Sequence, residues 1–209
     1  MTTLSSREKA IFRNLEPLVL ASSSPRRREL LGSMGLSFEV VPSGTEEAGG
    51  EGEAPETLVV RWAEEKARVV SKMYPDRWIL AADTIVVLEG VLFGKPRDAA
   101  EAVSMLRRLS NRTHEVISGV CLLHSYRQIV YVRSVRTFVH FKELSAAEIS
   151  AYVDTGEPMD KAGAYGIQGR GAFLVHSIQG SYTNVVGLPL CETLEYLMQH
   201  RVIAPAVVK

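Results

Sequence analysis

A short apolar run that passes directly into a capped helix is the feature that most constrains the fold of this chain. Residues 18–21 are continuous and apolar, which is typical of a buried strand. Ser24 and Pro25 then supply the residue types preferred at the N-cap and first position of a helix, which we predict to run to about Met34 and to end at Gly35. A buried strand joined to a helix by a few polar residues is typical of α/β proteins.

Three further stretches predict the rest of a sheet. Residues 78–88 form a strongly apolar strand, followed by a turn at Glu89 and Gly90 and a short return strand. Residues 114–125 and 128–141 predict two long strands, joined as a hairpin through Tyr126 and Arg127. Hairpins and crossovers together predict a mixed sheet.

Helices are predicted between these strands. Asp98 and Ser145 occupy N-cap positions, and Pro189 opens a last helix. Apolar side chains recur at helical spacing before the long apolar strand; they are Leu58, Val59, Trp62, Ala63, Ala67, Val70 and Met73. We therefore expect an α/β protein with a mixed sheet flanked by helices, organised as one domain over residues 18–209 after an N-terminal extension at residues 1–17.

Composition narrows the classes of function. The 209 residues are 46% hydrophobic and carry a formal net charge of +0, which argues against a broad nucleic-acid-binding face. The chain shows no apolar run long enough to span a membrane and no segment of signal-peptide type at its start, so we expect a cytoplasmic protein without a membrane partner. Cys121 and Cys191 lie in apolar surroundings and are expected to be small buried thiols.

Three consecutive arginines, Arg26, Arg27 and Arg28, open the first predicted helix. Positive side chains are unfavourable there, because the helix macrodipole already places partial positive charge at the N-terminus. Free backbone N–H groups, serine hydroxyls and guanidinium groups together suit a phosphate. The segment is therefore either an anion-binding loop or a solvated basic helix turn.

Asp83 interrupts the long apolar strand. A buried carboxylate is unfavourable unless it is paired, hydrogen-bonded or bound to a metal, so Asp83 is either a structural residue or a general base or metal ligand. Lys66 and Lys95 flank it along the chain. Most lysines are solvated, but Lys95 stands in a tight loop between Gly94 and a proline.

A glycine-rich segment at residues 160–171 precedes the last strands. Its glycines indicate a backbone that packs closely against something, although a plain connector remains the alternative. Gln168, within this segment, offers both an acceptor and a donor, which suits recognition of a base edge.

Six motifs of this chain, in order, resemble the Maf family of nucleoside triphosphate pyrophosphatases, which are also called septum-formation-inhibitor-like proteins. The motifs are LASSSPRRRELL, EKAR, AADTIVV, GKPRD, DKAGAYGIQG and GSYTNVVGLPL. The resemblance implies an elongated mixed sheet flanked by helices, similar to that of the inosine-triphosphatase type. It also implies hydrolysis of a nucleoside triphosphate to the monophosphate and pyrophosphate, with a divalent metal, Mg or Mn, as cofactor.

The resemblance also implies roles for individual residues. The residues implied to hold the triphosphate are Ser22, Arg26, Arg27, Lys66 and Lys95. Asp83 matches the catalytic aspartate, and Glu46, rather than Glu47, is expected to join it as a metal ligand. Arg28 matches no role and is expected to face solvent or to pair with an acid.

Three residues resemble the branch of the family that cleaves dTTP and UTP; they are Arg26, Thr84 and Gln168. Uridine nucleotides modified at C5 are expected substrates too, and cell-division arrest and cleaning of the nucleotide pool are the implied cellular roles. Two alternatives stay open: a pyrophosphatase acting on 7-methyl-GTP, and a nucleotide-sensing, septum-inhibiting binding protein without significant catalysis. The oligomeric state, including a homodimer, is also open.

Overall fold

The structure is a computed structural model that describes residues 10–45 and 52–206. Its strands are β1 (Phe12–Asn14), β2 (Leu18–Leu20), β3 (Glu39–Val40), β4 (Trp78–Leu88), β5 (Val91–Phe93), β6 (Thr113–His124), β7 (Ile129–Phe141), β8 (Val175–Gln179) and β9 (Ile203–Pro205). Its α-helices are α1 (Pro25–Gly32), α2 (Pro55–Ser71), α3 (Ala99–Leu109), α4 (Ala146–Val153), α5 (Tyr182–Val186) and α6 (Leu190–Gln199). The predicted α/β class is confirmed.

One mixed sheet organises the molecule. Its strand order is β3-β2-β4-β6-β7-β8, with β5 also paired to β4. The strands β3, β2 and β4 run parallel, whereas β4, β6, β7 and β8 alternate in direction. The long strands β4 and β6 are buried nearly throughout, which explains their continuous apolar sequences.

Helix α2 lies directly on the centre of this sheet. A Cβ atom on Gly119 of β6 would lie 2.2 Å from the carbonyl oxygen of Val59, so only glycine permits this close approach. The predicted apolar face of α2 is buried from Leu58 to Val70. Met73 was expected to belong to that face, but the helix ends at Ser71 and Met73 is 57% exposed.

The predicted helix starts are confirmed by their caps. The hydroxyl of Ser24 accepts the Arg27 N–H, and Asp98 and Ser145 cap α3 and α4 in the same way. Cys121 is buried as expected, whereas Cys191 is exposed, because its side chain lies on the outer face of α6.

Several elements differ from the simple sequence expectation. The glycine-rich segment was expected as a loop but contains short 3₁₀ helices. One of them, Glu157–Asp160, begins before the segment, and another, Gly169–Leu174, ends after it. Strand β1 pairs with β9 to form a separate two-stranded sheet, and Phe12 packs on the main core. Across the described ranges, no helix combines the length and apolarity that crossing a membrane requires.

The middle of β4 leaves a gap in the sheet. Residues Trp78–Leu80 pair with β2, and residues Val86–Leu88 pair with β5 on the same edge. Within the described part of the chain, no strand covers the stretch between these two pairings. The gap exposes the centre of β4 to the N-terminus of α1 and forms the floor of a cleft.

Candidate active site

The cleft over β4 has a volume of about 690 Å³. Two groups of residues occupy its walls. The first, called the basic end below, consists of Ser22, Arg26, Arg27, Lys66 and Lys95. The second, called the glycine-rich end, consists of Tyr165, Gly166, Ile167 and Gln168. Asp83 and Thr84 of β4 line the cleft as well.

Asp83 is buried and forms an ion pair with Lys66 of α2. The Lys66 ammonium donates to the Asp83 carboxylate at 2.7 Å, and the two side chains are only 12% and 5% exposed. The other carboxylate oxygen of Asp83 accepts the backbone N–H of Thr84 at 2.8 Å. Both oxygens are therefore held in fixed positions, as a catalytic base or a metal ligand requires.

Arg27 is fixed by hydrogen bonds that it donates to groups at the floor of the cleft. Its Nε donates to the carbonyl of Gly187 at 2.7 Å, and its Nη2 donates to the hydroxyl of Thr84 at 3.1 Å. Its Nη1 lies 3.4 Å from the hydroxyl of Ser22, which also accepts the Ser24 N–H at 3.1 Å. The guanidinium plane is thus oriented before any anion arrives.

Arg26 reaches the opposite wall instead. Its Nη1 donates to the carboxylate of Asp160 at 3.1 Å. Asp160 also accepts from Lys161 at 2.6 Å, and the Lys161 ammonium donates to the carbonyl of Glu157 as well. Burial would raise the pKa of the Asp160 carboxyl, but hydrogen bonds from Lys161 and Arg26 outweigh it, and the pKa is lowered. Asp160 is thus a carboxylate that links the start of α1 to the glycine-rich segment.

The glycine-rich end is shaped from behind by Tyr152 and Glu157. The Tyr152 hydroxyl accepts the Gly166 N–H at 3.3 Å and donates to the Glu157 carboxylate at 3.1 Å. That carboxylate also accepts the backbone N–H groups of Arg170 and Gly171, at 3.1 and 3.0 Å. A Cβ atom on Gly171 would lie 2.5 Å from the Tyr152 hydroxyl, so this close packing requires glycine.

Tyr165 forms the inner wall of the glycine-rich end and is backed by His114. The His114 Nε2 and the Tyr165 hydroxyl lie 2.8 Å apart, and both residues are buried. Burial, with a smaller effect of the His140 charge, lowers the pKa of His114 from 6.5 to about 3. The imidazole is therefore neutral at pH 7, and this wall of the cleft carries no charge.

The structure brings together every predicted site residue that it describes. Eight line the cleft: Ser22, Arg26, Arg27, Lys66, Asp83, Thr84, Lys95 and Gln168. Glu46, the second expected metal ligand, lies outside the described residues. Arg28 is exposed, in agreement with the expectation that it faces solvent.

Sequence reasoning missed Tyr152 and Glu157 behind the glycine-rich end, and it missed three further polar residues that shape the site. Asp160 and Lys161 stand within the DKAG motif, and this charged pair beside glycines was a visible signal. Ser118 is completely buried on β6 and bonds to Thr84 at 2.8 Å. A lone serine in an apolar strand gave the same kind of signal as Asp83, though a weaker one.

The donor set suits a metal that arrives with an anionic ligand. Among the described residues, no three His, Cys, Asp or Glu side chains form a cluster able to hold a metal. Magnesium usually takes only one or two protein carboxylates and completes its shell with water and phosphate oxygens. Asp83, a fixed carboxylate within a basic cleft, fits that pattern.

The chain is similar in sequence to known proteins over most of its length. The family model described as "Maf-like protein" matches residues 17–200. The chain is 48% identical over 189 residues to the dTTP/UTP pyrophosphatase of Desulfotalea psychrophila, covering 90% of this chain and 97% of that protein. It is 53% identical over 180 residues to the dTTP/UTP pyrophosphatase of Myxococcus xanthus, covering 86% and 90%.

Among solved structures, the chain is similar to a HAM1 protein from Coxiella burnetii. The TM-score is 0.43 and the sequence identity 21%, over 61% of this chain and 73% of that one.

Proposed function

The chain belongs to the family of Maf-like proteins, and on that premise we propose that it is a nucleoside triphosphate pyrophosphatase acting on dTTP and UTP. The observation that carries the proposal is the fixed Asp83 carboxylate, paired with Lys66 at 2.7 Å, in a cleft with cations at one end and a neutral wall at the other. A triphosphate needs the cations, and an uncharged base needs the neutral wall. A protein that only sensed nucleotide would have no need of the buried carboxylate.

The basic end would hold the triphosphate. Arg27 and Ser22 are fixed in the floor of the cleft, and Lys66 and Lys95 enter from α2 and from the loop after β5. Phosphoryl transfer depends mainly on positioning and on neutralising the charge of the leaving group. These cations would therefore stabilise the pyrophosphate as it departs.

Asp83 would act on the attacking water. In the reaction, the water oxygen forms a bond to the α-phosphorus and the α–β phosphoanhydride bond breaks, with its electron pair leaving on pyrophosphate. The water proton would pass to the Asp83 carboxylate, as in general-base catalysis. When bound, Mg or Mn, which we propose that Asp83 and Glu46 would hold, would neutralise charge on the triphosphate oxygens.

The glycine-rich end would select the base. A uracil or thymine edge presents two carbonyl acceptors around one N–H donor, and the Gln168 amide can match part of that edge. Backbone groups of the glycine-rich segment would supply the remainder, with Arg26 at the junction. Cytosine replaces one carbonyl by a donor and would leave buried groups unpaired, and such mismatches can be rejected by as much as about 10⁴-fold.

Substituents at C5 of uracil are compatible with the site, because thymine already carries a methyl group there. We therefore include C5-modified uridine triphosphates among the substrates. Clearance of such nucleotides and a link to cell-division arrest follow from the same premise. Cytoplasmic location and a homodimer stay predictions, which cell fractionation and analytical ultracentrifugation test.

A nucleotide panel tests the proposal. Pyrophosphate release from dTTP, UTP, 5-methyl-UTP, CTP, GTP and 7-methyl-GTP is measured with Mg, with Mn and with a chelator, and Asp83→Asn serves as the inactive control. We expect the first three nucleotides to lead and the chelator to abolish turnover. If CTP or 7-methyl-GTP leads, the base assignment fails; if no nucleotide is cleaved, a binding protein remains.

A further inference from the structure

A line of hydroxyl groups runs from Arg27 into the core of the sheet. Arg27 Nη2 lies 3.1 Å from the Thr84 hydroxyl, which lies 2.8 Å from the Ser118 hydroxyl. The Ser118 hydroxyl in turn lies 3.4 Å from the carbonyl oxygen of Asn184. Four groups on four different elements, α1, β4, β6 and α5, are therefore joined in one chain of hydrogen bonds.

The chemistry of these groups sets the direction of the chain. A guanidinium group has donors and no acceptor, so the Thr84 oxygen must accept from Arg27. The single Thr84 proton goes to Ser118 at 2.8 Å rather than to the Gly187 carbonyl at 3.3 Å, because the contact with Ser118 is the shorter one and the Gly187 carbonyl also accepts the Arg27 Nε at 2.7 Å. Ser118 can then donate only onward, to the Asn184 carbonyl. In this arrangement every hydroxyl both accepts and donates.

We infer that Ser118 is a positioning residue that holds Arg27 in the orientation needed for the triphosphate. The inference rests on the proposed function and extends it to a residue that cannot touch the nucleotide, because Ser118 is completely buried and lies behind the cleft. Thr84 is then the intermediate link, and its influence on the reaction passes through Arg27.

The expected consequence of losing this support is moderate and independent of the base. Without Ser118, the Thr84 hydroxyl can turn to the Gly187 carbonyl and compete there with Arg27. A neutral hydrogen bond contributes an amount equivalent to roughly 2- to 12-fold in an equilibrium. We therefore expect Ser118→Ala to lower kcat/KM by about fivefold for dTTP and UTP alike, within that range.

A double-mutant cycle with Arg27 tests the inference. Ser118→Ala is measured in the parent and in the Arg27→Ala background, where the group to be positioned is gone. We expect the fivefold effect to shrink to less than about twofold there, because interacting residues are non-additive. An undiminished effect of Ser118→Ala in the Arg27→Ala background would show that Ser118 acts elsewhere and would overturn the inference.

Matched variants separate positioning from general damage. Ser71 is also buried, and its hydroxyl donates to the Arg68 carbonyl on α2, away from the cleft. Ser71→Ala should leave kcat/KM unchanged, and melting temperatures are compared for both serine variants. If Ser118→Ala does not fold, Thr84→Val replaces it and is measured in the parent and in the Arg27→Ala background. The relay requires Thr84→Val to lower kcat/KM only while Arg27 is present; an equal loss in the two backgrounds would overturn the relay.

Binding of a non-hydrolysable analogue, α,β-imido-dUTP, keeps the inference separate from the proposed function. If the parent releases no pyrophosphate from any nucleotide, the proposed function fails, but the analogue Kd from calorimetry still reports on Arg27. Ser118→Ala should weaken analogue binding by about fivefold, for the same hydrogen-bond reason, only when Arg27 is present. Equal Kd values for the parent and Ser118→Ala would overturn the inference.

Discussion

The two ends of the cleft are built in different ways. At the basic end, side chains project from α1, from α2 and from the loops before α1 and after β5, and Arg27 and Lys66 each bond to a residue of β4. At the glycine-rich end, the wall is largely the backbone of the irregular stretch between two short 3₁₀ helices, Ala162–Ala164 and Gly169–Leu174, and Tyr152 and Glu157 hold it from behind. Side chains on rigid elements suit recognition of charge, whereas a closely packed backbone suits recognition of shape and hydrogen-bond pattern.

The neighbouring residues Arg26 and Arg27 show the same difference between the two ends. Arg27 bonds to the floor of the cleft through Gly187 and Thr84, while Arg26 crosses to Asp160 at the start of the glycine-rich segment. Arg27 thus belongs to the basic end alone, whereas Arg26 connects the two ends. We expect variants at the other basic-end residues to affect all nucleotides equally, and variants at Arg26 and at the glycine-rich end to change the ranking of nucleotides.

The largest effect is expected at Asp83. Asp83→Asn preserves shape but removes the proposed proton acceptor, and loss of a general base typically lowers the rate by about 10²–10⁴-fold. We expect such a fall in kcat for every nucleotide that the parent cleaves, measured as pyrophosphate release. Asp154→Asn, at the exposed end of α4, is the matched control. A kcat within about threefold of the parent would remove Asp83 from the chemistry, on the same scale.

Arg27→Ala should have the next largest effect. A hydrogen bond to a charged group contributes about 1.5–3 kcal/mol, and about 1.4 kcal/mol is tenfold, so kcat/KM should fall at least tenfold. Since Arg27 is proposed to bind only phosphate, dTTP, UTP and CTP should all lose the same factor. The adjacent, exposed Arg28 provides the control Arg28→Ala. A change in the ranking of nucleotides in Arg27→Ala would contradict the division between the two ends.

Gln168→Ala, unlike Arg27→Ala, should change the ranking of nucleotides. Removing the amide should lower kcat/KM for dTTP more than for CTP, and we expect the ratio between them to fall by about tenfold, well within what hydrogen-bonded selection can supply. Gln179→Ala, at an exposed position on β8, is the control. An unchanged dTTP-to-CTP ratio would mean that the base is selected elsewhere, and that the glycine-rich end contributes only shape.

The basic end could be predicted from sequence because its signals are local. Ser24 and Pro25 mark the start of α1, so the arginines after them had to stand at a helix N-terminus. Asp83 was conspicuous because a carboxylate within an apolar strand must have a partner. Its pairing with Lys66, on a helix 17 positions earlier, was expected only as proximity and not as an ion pair.

The glycine-rich end could be predicted in composition but not in form. The glycines indicate that the backbone packs closely, but they do not indicate which side chains it packs against. Those side chains, Tyr152 and Glu157, come before the segment in the sequence. The relay through Ser118 depends on the register that places Ser118 beside Thr84 in paired strands. Such register is set by contacts distant in sequence, and local patterns do not specify it.

The smallest effect is expected at Glu157, where the glycine-rich segment is held without contact to the basic end. Glu157→Gln keeps the shape and one acceptor oxygen, but its NH₂ group would face a backbone N–H of Arg170 or Gly171. The wall should loosen, and KM for dTTP should rise by about threefold with kcat unchanged, as for weakening of one hydrogen bond. Glu143→Gln, at an exposed position, is the control. A fall in kcat instead would mean that this wall also positions the reacting phosphate.

The pH dependence of thermal stability provides a second test of the role of Glu157. Burial raises the pKa of Glu157, but hydrogen bonds from the N–H groups of Gly171 and Arg170 and from the Tyr152 hydroxyl lower this pKa by more. The net shift is therefore downward from 4.5. A lowered native pKa means that the carboxylate stabilises the fold fully above about pH 4.5 and loses this contribution as the pH falls through the native pKa. The melting temperature of the parent should therefore exceed that of Glu157→Gln by a constant margin from pH 8 to pH 5. Below pH 4.5 the margin should shrink, because the protonated parent then resembles the amide; a margin that grew on acidification would show that the carboxylate is not the group that holds the wall.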